Sequence, residues 1–205
     1  MSSSFIVAIG SSAGGLTPMT SYFDFTPHDR ATYVILRHLP QDYQSQLQKI
    51  LARHSKLTII EAKNGTVIEK DCIYIAPPAM YMTIKDETLY LQTRQPEELY
   101  PNWSVDVFLE SLAKAKGKFG IAIILSGAGT DGTKGVKHVK EAGGMVLAQN
   151  IASCEHNSMP RHAIETGNVD YELMVDEMPP VVLQHISGIL KNSGLTENLK
   201  KVGGN

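Results

Sequence analysis

The chain has 205 residues, 42% hydrophobic and 20% charged, with nineteen basic against 21 acidic side chains and a formal net charge of −2. That length suits one medium domain with a single sizeable core, and the ordinary composition excludes disordered, collagen-like and coiled-coil classes. The balanced charge excludes a whole-chain attraction to nucleic acid or to an anionic membrane.

Cys72 and Cys154 stand far apart, form no CxxC or zinc spacing, and read as reduced thiols. The segment Met1–Phe5 has neither the basic flank nor the apolar run of a secretory signal. No apolar run approaches the roughly 18–20 residues that a membrane span needs. The expectation is a cytoplasmic chain without membrane insertion, without nucleic-acid partners and without a metal or cofactor.

Taken in order, Phe5–Ile9 (FIVAI) is a β-rich run ending at Gly10, and Thr32–Leu36 (TYVIL) is a second. A helical pattern spans about 41–54. Ile73–Ala76, Tyr81–Ile84 and Leu89–Gln92 read as short strands, forming a small antiparallel excursion around residues 73–92 bounded by Pro77 and Pro78. A polar stretch, Thr93–Asn102, leads into a helix over Ser104–Lys116, where Val105, Phe108, Leu109 and Leu112 fall at i, i+3, i+4 and i+7 and form one buried stripe. Phe119–Leu125 (FGIAIIL) is a third buried run, Thr133–Ala142 a helix, and Met145–Ala148 (MVLA) a fourth run. Runs that are apolar at every position suit strands covered on both faces. Their alternation with helices predicts βαβ units and a doubly wound α/β fold. The tail from Asn192 is poor in apolar residues and is expected to be loose, leaving a single domain over residues 1–191.

Two glycine-rich loops follow buried runs. The first, Gly10-Ser11-Ser12-Ala13-Gly14-Gly15, is neither G-x-G-x-x-G nor a P-loop. Position alone favours Ser11 or Ser12 as a helix cap, while the functional reading is a nucleophilic serine on a strand-to-helix turn. His38, at the end of the second run, lies 26 positions after Ser12, one βαβ crossover away. Ligands of open α/β sheets bind at such carboxyl ends.

The second loop, Ser126–Gly132, places Gly127, Gly129 and Gly132 in a literal G-x-G-x-x-G. Against a dinucleotide site stand the ending Ala148-Gln149-Asn150, which lacks an acid for a ribose, and Asp131 inside the loop. Asp131 is either an acid that orients His38 or a cap of the helix near Thr133. Ser12, His38 and Asp131 follow three different runs, the distribution that a Ser-His-Asp site needs.

The segments IGSSAGG (Ile9–Gly15), LRHLP (Leu36–Pro40), IYIAPP (Ile73–Pro78), SVDVFLESLA (Ser104–Ala113), LSGAGTDGTKG (Leu125–Gly135), EAGGMVLAQN (Glu141–Asn150) and SMPRHAI (Ser158–Ile164) together resemble the catalytic domain of the chemotaxis protein-glutamate methylesterase (CheB) family. The RHLP, ARH and EAGG wording is closer to methylesterase modules joined to a methyltransferase than to enteric enzymes. The resemblance implies a mostly parallel doubly wound sheet with helices on both faces. It places the nucleophile on Ser12, the general base on His38 and the triad acid on Asp131.

The implied activity is a serine hydrolase reaction on glutamate γ-methyl esters, releasing methanol, with deamidation of receptor glutamines as a second family activity. The implied partners are methylated cytoplasmic helices of chemoreceptors or sensor proteins, and a receptor methyltransferase. Backbone N–H groups near Ala13 and over Gly127–Gly129, including Ala128, are candidate oxyanion donors, and Met159 is expected to border the substrate groove. Ala13 stands where many members carry threonine, and Ala128 where enteric enzymes carry methionine, so the pocket lining differs.

The classical enzyme carries an N-terminal receiver domain, and this sequence starts at the catalytic domain. The expectation is therefore a stand-alone or hybrid-derived module without a receiver. A base at His38 predicts activity falling below roughly pH 6.5, the reference histidine range. The competing readings are an inactive methylesterase-like docking module and, on Gly127, Gly129 and Gly132 alone, a nicotinamide oxidoreductase. His28, His54, His138, His156, His162 and His185 read as surface or structural, and Lys134, Lys137 and Lys140 as a solvated helix face.

Overall fold

The computed structural model describes residues 4–27, 31–37, 44–95 and 102–192. In chain order the strands are β1 (Ile6–Ser11), β2 (Thr32–Arg37), β3 (Thr58–Glu61), β4 (Thr66–Val67), β5 (Cys72–Ile75), β6 (Met80–Lys85), β7 (Thr88–Thr93), β8 (Gly120–Ile124), β9 (Met145–Gln149) and β10 (Tyr171–Leu173). The helices are α1 (Leu16–Asp24), α2 (Gln44–His54), α3 (Ser104–Lys116), α4 (Thr133–Glu141), α5 (Ser158–Glu165) and α6 (Met178–Asn192).

Seven strands form a parallel sheet in the order β10-β9-β8-β1-β2-β5-β3. The four apolar runs are its four central-to-flanking strands β9, β8, β1 and β2, and they are buried because helices cover both faces. Alternate side chains divide the core. Val7, Ile9, Tyr33, Ile35, Ile121 and Ile123 pack with α1, α2 and α6 residues such as Met19, Leu51 and Val182. Ile6, Ala8, Val34, Leu36, Ala122 and Ile124 pack with Phe108, Val136 and Ala163 from α3, α4 and α5. The stripe expected on α3 is fully buried at Val105, Phe108, Leu109 and Leu112.

The antiparallel excursion has different boundaries from those expected. Residues 72–75 belong to the parallel sheet as β5, between β2 and β3. The three-stranded antiparallel sheet is instead β4-β7-β6, so it borrows Thr66–Val67 from upstream. The break falls after Ile75 because Pro77 and Pro78 supply no N–H to continue a ladder. Asp86 and Glu87 turn the β6–β7 hairpin at φ 47° and 62°, the left-handed pair that matches strand twist. Met82, Ile84 and Leu89 of this small sheet join the α3 side of the core.

Edge strands β3 and β10 carry no continuous apolar run because one side of each is partly open to solvent. Residues 193–205, the greater part of the expected loose tail, lie outside the described residues. Among the described residues no helix is long and apolar enough to cross a membrane.

From β1 the chain passes to β2 on one side, and it later returns to β8 on the other. The crevice between the carboxyl ends of β1 and β8 is therefore a topological switch point, where open α/β sheets bind ligands.

Candidate active site at the switch point

The turn after β1 is shaped by close approaches that exclude side chains. A Cβ at Gly10 would stand 2.6 Å from Val105 Cγ1, so Gly10 lets the start of α3 lie against the strand. Gly14 has φ +68°, and a Cβ at Gly15 would stand 2.6 Å from Ser11 Cβ. The turn closes through a bond from Gly15 N–H to the Ser12 carbonyl at 3.1 Å. Helix α1 is capped by Gly15 without a side-chain bond, so neither Ser11 nor Ser12 serves as the cap that position favoured. Ser11 is fully buried, and its Oγ has no partner among the described residues. Ser12 is half-buried, at the mouth of the crevice.

Ser126, after β8, ties this turn to its neighbours. Its carbonyl accepts the Ser12 N–H at 3.1 Å. Its hydroxyl accepts the His156 N–H at 3.0 Å and lies 3.1 Å from the carbonyls of Ala13 and His156, the acceptors available to its single proton. Its own N–H donates to Gln149 Oε1 at 2.9 Å, and Gln149 Nε2 reaches Ser153. Gln149 thus fills, as an internal strut, the strand end where a dinucleotide fold would present its acid.

The three glycines of the literal G-x-G-x-x-G are each required by this chain's own packing or backbone conformation. A Cβ at Gly127 would lie 2.2 Å from Met159 Sδ and 3.0 Å from Ser12 N, while Gly129 and Gly132 sit at φ +89° and +97°. The Gly127 N–H donates to the His156 carbonyl at 2.8 Å, which removes it from the candidate oxyanion donors. The N–H groups of Ala13, Ala128 and Gly129 bond to no acceptor among the described residues. Ala13, Ala128 and Gly129 are exposed. Met159 lies beneath the loop, only 1% exposed, so it supports Gly127 from below rather than lining the surface of a groove.

Asp131 is 3% exposed. Its Oδ2 accepts the Val105 N–H and its Oδ1 the Asp106 N–H, both at 2.9 Å. The alternative reading of Asp131 as a cap of the helix near Thr133 does not hold: α4 is capped by Gly132 without a side-chain bond. Asp131 caps the neighbouring helix α3 instead. Two main-chain donors and the positive end of α3 hold its carboxylate in one orientation.

Sequence patterns passed over Ser126, Gln149 and Asp106. The last was signalled only as an acid inside the first turn of an otherwise apolar stripe. Asp106 is 8% exposed, and its Oδ1 accepts the Gly135 N–H at 2.7 Å. Burial above all, and then the charge of Asp131, push its carboxyl up to about 6, against the opposing main-chain donors.

His38 lies outside the described residues. Strand β2 ends at Arg37, the register partner of Ser11, so the chain leaves β2 at the same sheet edge. Burial lowers the Arg37 pKa. Among the described residues no group of histidine, cysteine, aspartate and glutamate could hold a metal ion.

Residues 7–182 match the family model described as CheB methylesterase. A protein-glutamate methylesterase/protein-glutamine glutaminase of Photorhabdus laumondii is 34% identical over 190 residues, 91% of this chain and 54% of that protein. A protein of the same name from Geobacillus kaustophilus is 33% identical over 186 residues, 88% of this chain and 53% of that protein. The chain spans about half the length of these curated relatives. The crystal structure of the Thermotoga maritima CheB methylesterase catalytic domain superposes with a TM-score of 0.81 at 30% identity, covering 89% of this chain and 98% of that one. The chain therefore belongs to the CheB methylesterase family.

Proposed function

We propose that this chain is a serine hydrolase of glutamate γ-methyl esters, with Ser12 as nucleophile, His38 as general base and Asp131 as the acid that orients it. The observation that carries the reading is the junction of the two loops. The Ser12 N–H bonds to Ser126 in the loop that also holds Asp131, and both loops open at the switch point.

His38 takes the Ser12 proton as Oγ attacks the ester carbonyl, then gives it to the departing methoxide, which leaves as methanol. Water, deprotonated by the same imidazole, splits the acyl-enzyme, and Oγ recovers its proton as the glutamate carboxylate departs. With an amide, ammonia replaces methanol, which accounts for glutaminase activity at the same site. The N–H groups of the exposed residues Ala13, Ala128 and Gly129 are the oxyanion donors, each worth roughly 2.7–4 kcal/mol by comparison with a subtilisin donor. The substrates are methylated cytoplasmic helices of chemoreceptor-like proteins, the chain acts in the cytoplasm, and a receptor methyltransferase is its opposing partner.

The test is methanol release from a glutamyl-methylated receptor cytoplasmic fragment by native protein and by Ser12→Ala. Release that disappears in the variant is expected. Equal release by both proteins removes Ser12 as nucleophile, and no release by a folded native protein leaves a docking module.

A further inference from the structure

Two carboxylates at this site cap each other's segments. Asp131, in the loop that leads into α4, holds the first turn of α3 through the Val105 and Asp106 N–H groups. Asp106, in that first turn, holds the start of α4 through the Gly135 N–H. The two helix starts meet over the pair, and their partial positive charges favour both anions. A Cβ at Gly135 would stand 2.5 Å from Leu109 Cβ, so the helices cross as closely as glycine permits.

The pair is unequal. Both Asp131 oxygens accept main-chain N–H groups, whereas Asp106 Oδ2 is buried without a partner among the described residues. A buried carboxylate oxygen without a donor disfavours the ionised form, and burial raises the Asp106 carboxyl in that direction.

We propose that Asp106 is a positioning residue for the reaction, holding the Asp131 carboxylate through the paired caps and setting, by its own charge, how tightly the imidazole oriented by Asp131 keeps its proton. This rests on the triad reading of Ser12, His38 and Asp131.

The ionisable groups on elements packed against α3 are Tyr33 and Arg37 on β2, Tyr81 and Lys85 on β6, Lys118 beyond its C-terminus, and Lys134, Lys137, His138, Lys140 and Glu141 on α4, with Tyr33 turned to the opposite face of the sheet. The charge that bears on Asp106 is that of Asp131. The α4 lysines and His138 are exposed, with Lys134 over the Trp103 ring. An ionised Asp106 adds negative potential at Asp131 and so raises the proton affinity of the imidazole. Removing that charge makes the imidazole neutral, and therefore competent as a base, at lower pH.

The readout is the rate at which a fluorophosphonate labels Ser12 between pH 5 and 9, which requires the activated serine and no receptor. In Asp106→Asn the acidic limb is expected to move down by about 0.5–1 pH unit, the size of one neighbouring charge at intermediate dielectric. Asp106→Ser also removes the charge while leaving a hydroxyl in the first turn of α3, and it carries the same expectation, so the test stands if one variant fails to fold. Asp106→Ala, with neither acceptor nor charge, is expected to label more slowly at every pH and to melt earlier.

A folded Asn or Ser variant whose limb coincides with that of the native protein, or moves upward, overturns the proposal while leaving the triad intact. Native protein that is not labelled, or labelling that survives in Ser12→Ala, overturns the triad reading and the proposal with it.

Discussion

At the scale of single residues, the site rests on groups whose chemistry is ordinary and whose placement is not. A serine, a glutamine and an aspartate at Ser126, Gln149 and Asp106 are surface residue types by composition, yet all three are buried. Asp106 makes a stability prediction. Its carboxyl is raised in the folded protein to about 6, so the native state binds its proton more tightly than the unfolded chain does. Stability from this group is therefore present at low pH and is lost as pH rises from about 4 through about 6. Asp106→Asn cannot lose it. The stability of the Asn variant relative to the native protein should rise by roughly 3 kcal/mol between pH 4 and pH 8, from about two pH units at 1.36 kcal/mol each. Urea unfolding at the two pH values measures this, and a constant difference contradicts the assignment.

At the scale of elements, the crossing of α3 and α4 sets the position of Asp131. Gly135 has Leu109 Cβ and the Asp106 backbone within 3.2 Å of where a side chain would begin. Gly135→Ala must push the helices apart, and overpacking of this kind costs about 1–3 kcal/mol. The same displacement strains the bonds of Asp131 to Val105 and Asp106 and of Asp106 to Gly135. The expected result is a lower melting temperature together with at least a tenfold loss of methanol release below it. A variant that loses stability and keeps full kcat would show that the acid tolerates helix movement. The stripe Val105, Phe108, Leu109 and Leu112 made α3 legible from sequence, because core burial repeats at the helical period. The cap exchanged between α3 and the loop before α4 has no such period, since the partners Asp106 and Asp131 are 25 residues apart.

At the scale of the whole molecule, the edge that carries the candidate site and the opposite edge are fastened separately. Lys116, at the far end of α3 and 9% exposed, pairs with Glu87 in the β6–β7 turn and donates to Ser4 Oγ at 2.9 Å. This cluster ties the small antiparallel sheet to α3 and to the start of the chain. Glu87→Gln leaves the buried ammonium without its counter-charge and should cost about 1–3 kcal/mol. Because the cluster lies at the end of α3 away from Asp131, kcat below the melting transition should stay within twofold of native. Calorimetry and methanol release on the same preparation separate the two effects, and a parallel loss of kcat would show that the edges are coupled.

The sequence alone determined the alternation of buried strands and helices, the central strands to within a residue or two, and the two glycine loops that flank the crevice. It did so because strands covered on both faces are apolar at every position and amphipathic helices keep a 3.6-residue period, both local properties of the chain. It left open whether Ser12 was a cap, whether Gly127, Gly129 and Gly132 cradled a phosphate, and which helix Asp131 served. Tertiary structure decided the geometry behind each. Gly15 caps α1, the glycines make room for Met159 and Ile124 or turn at positive φ, and Asp131 caps α3. It also moved residues 72–75 from the antiparallel excursion into the parallel sheet. These are facts about partners distant in sequence, and strand order, which brings such partners together, leaves no local pattern in the residues it joins.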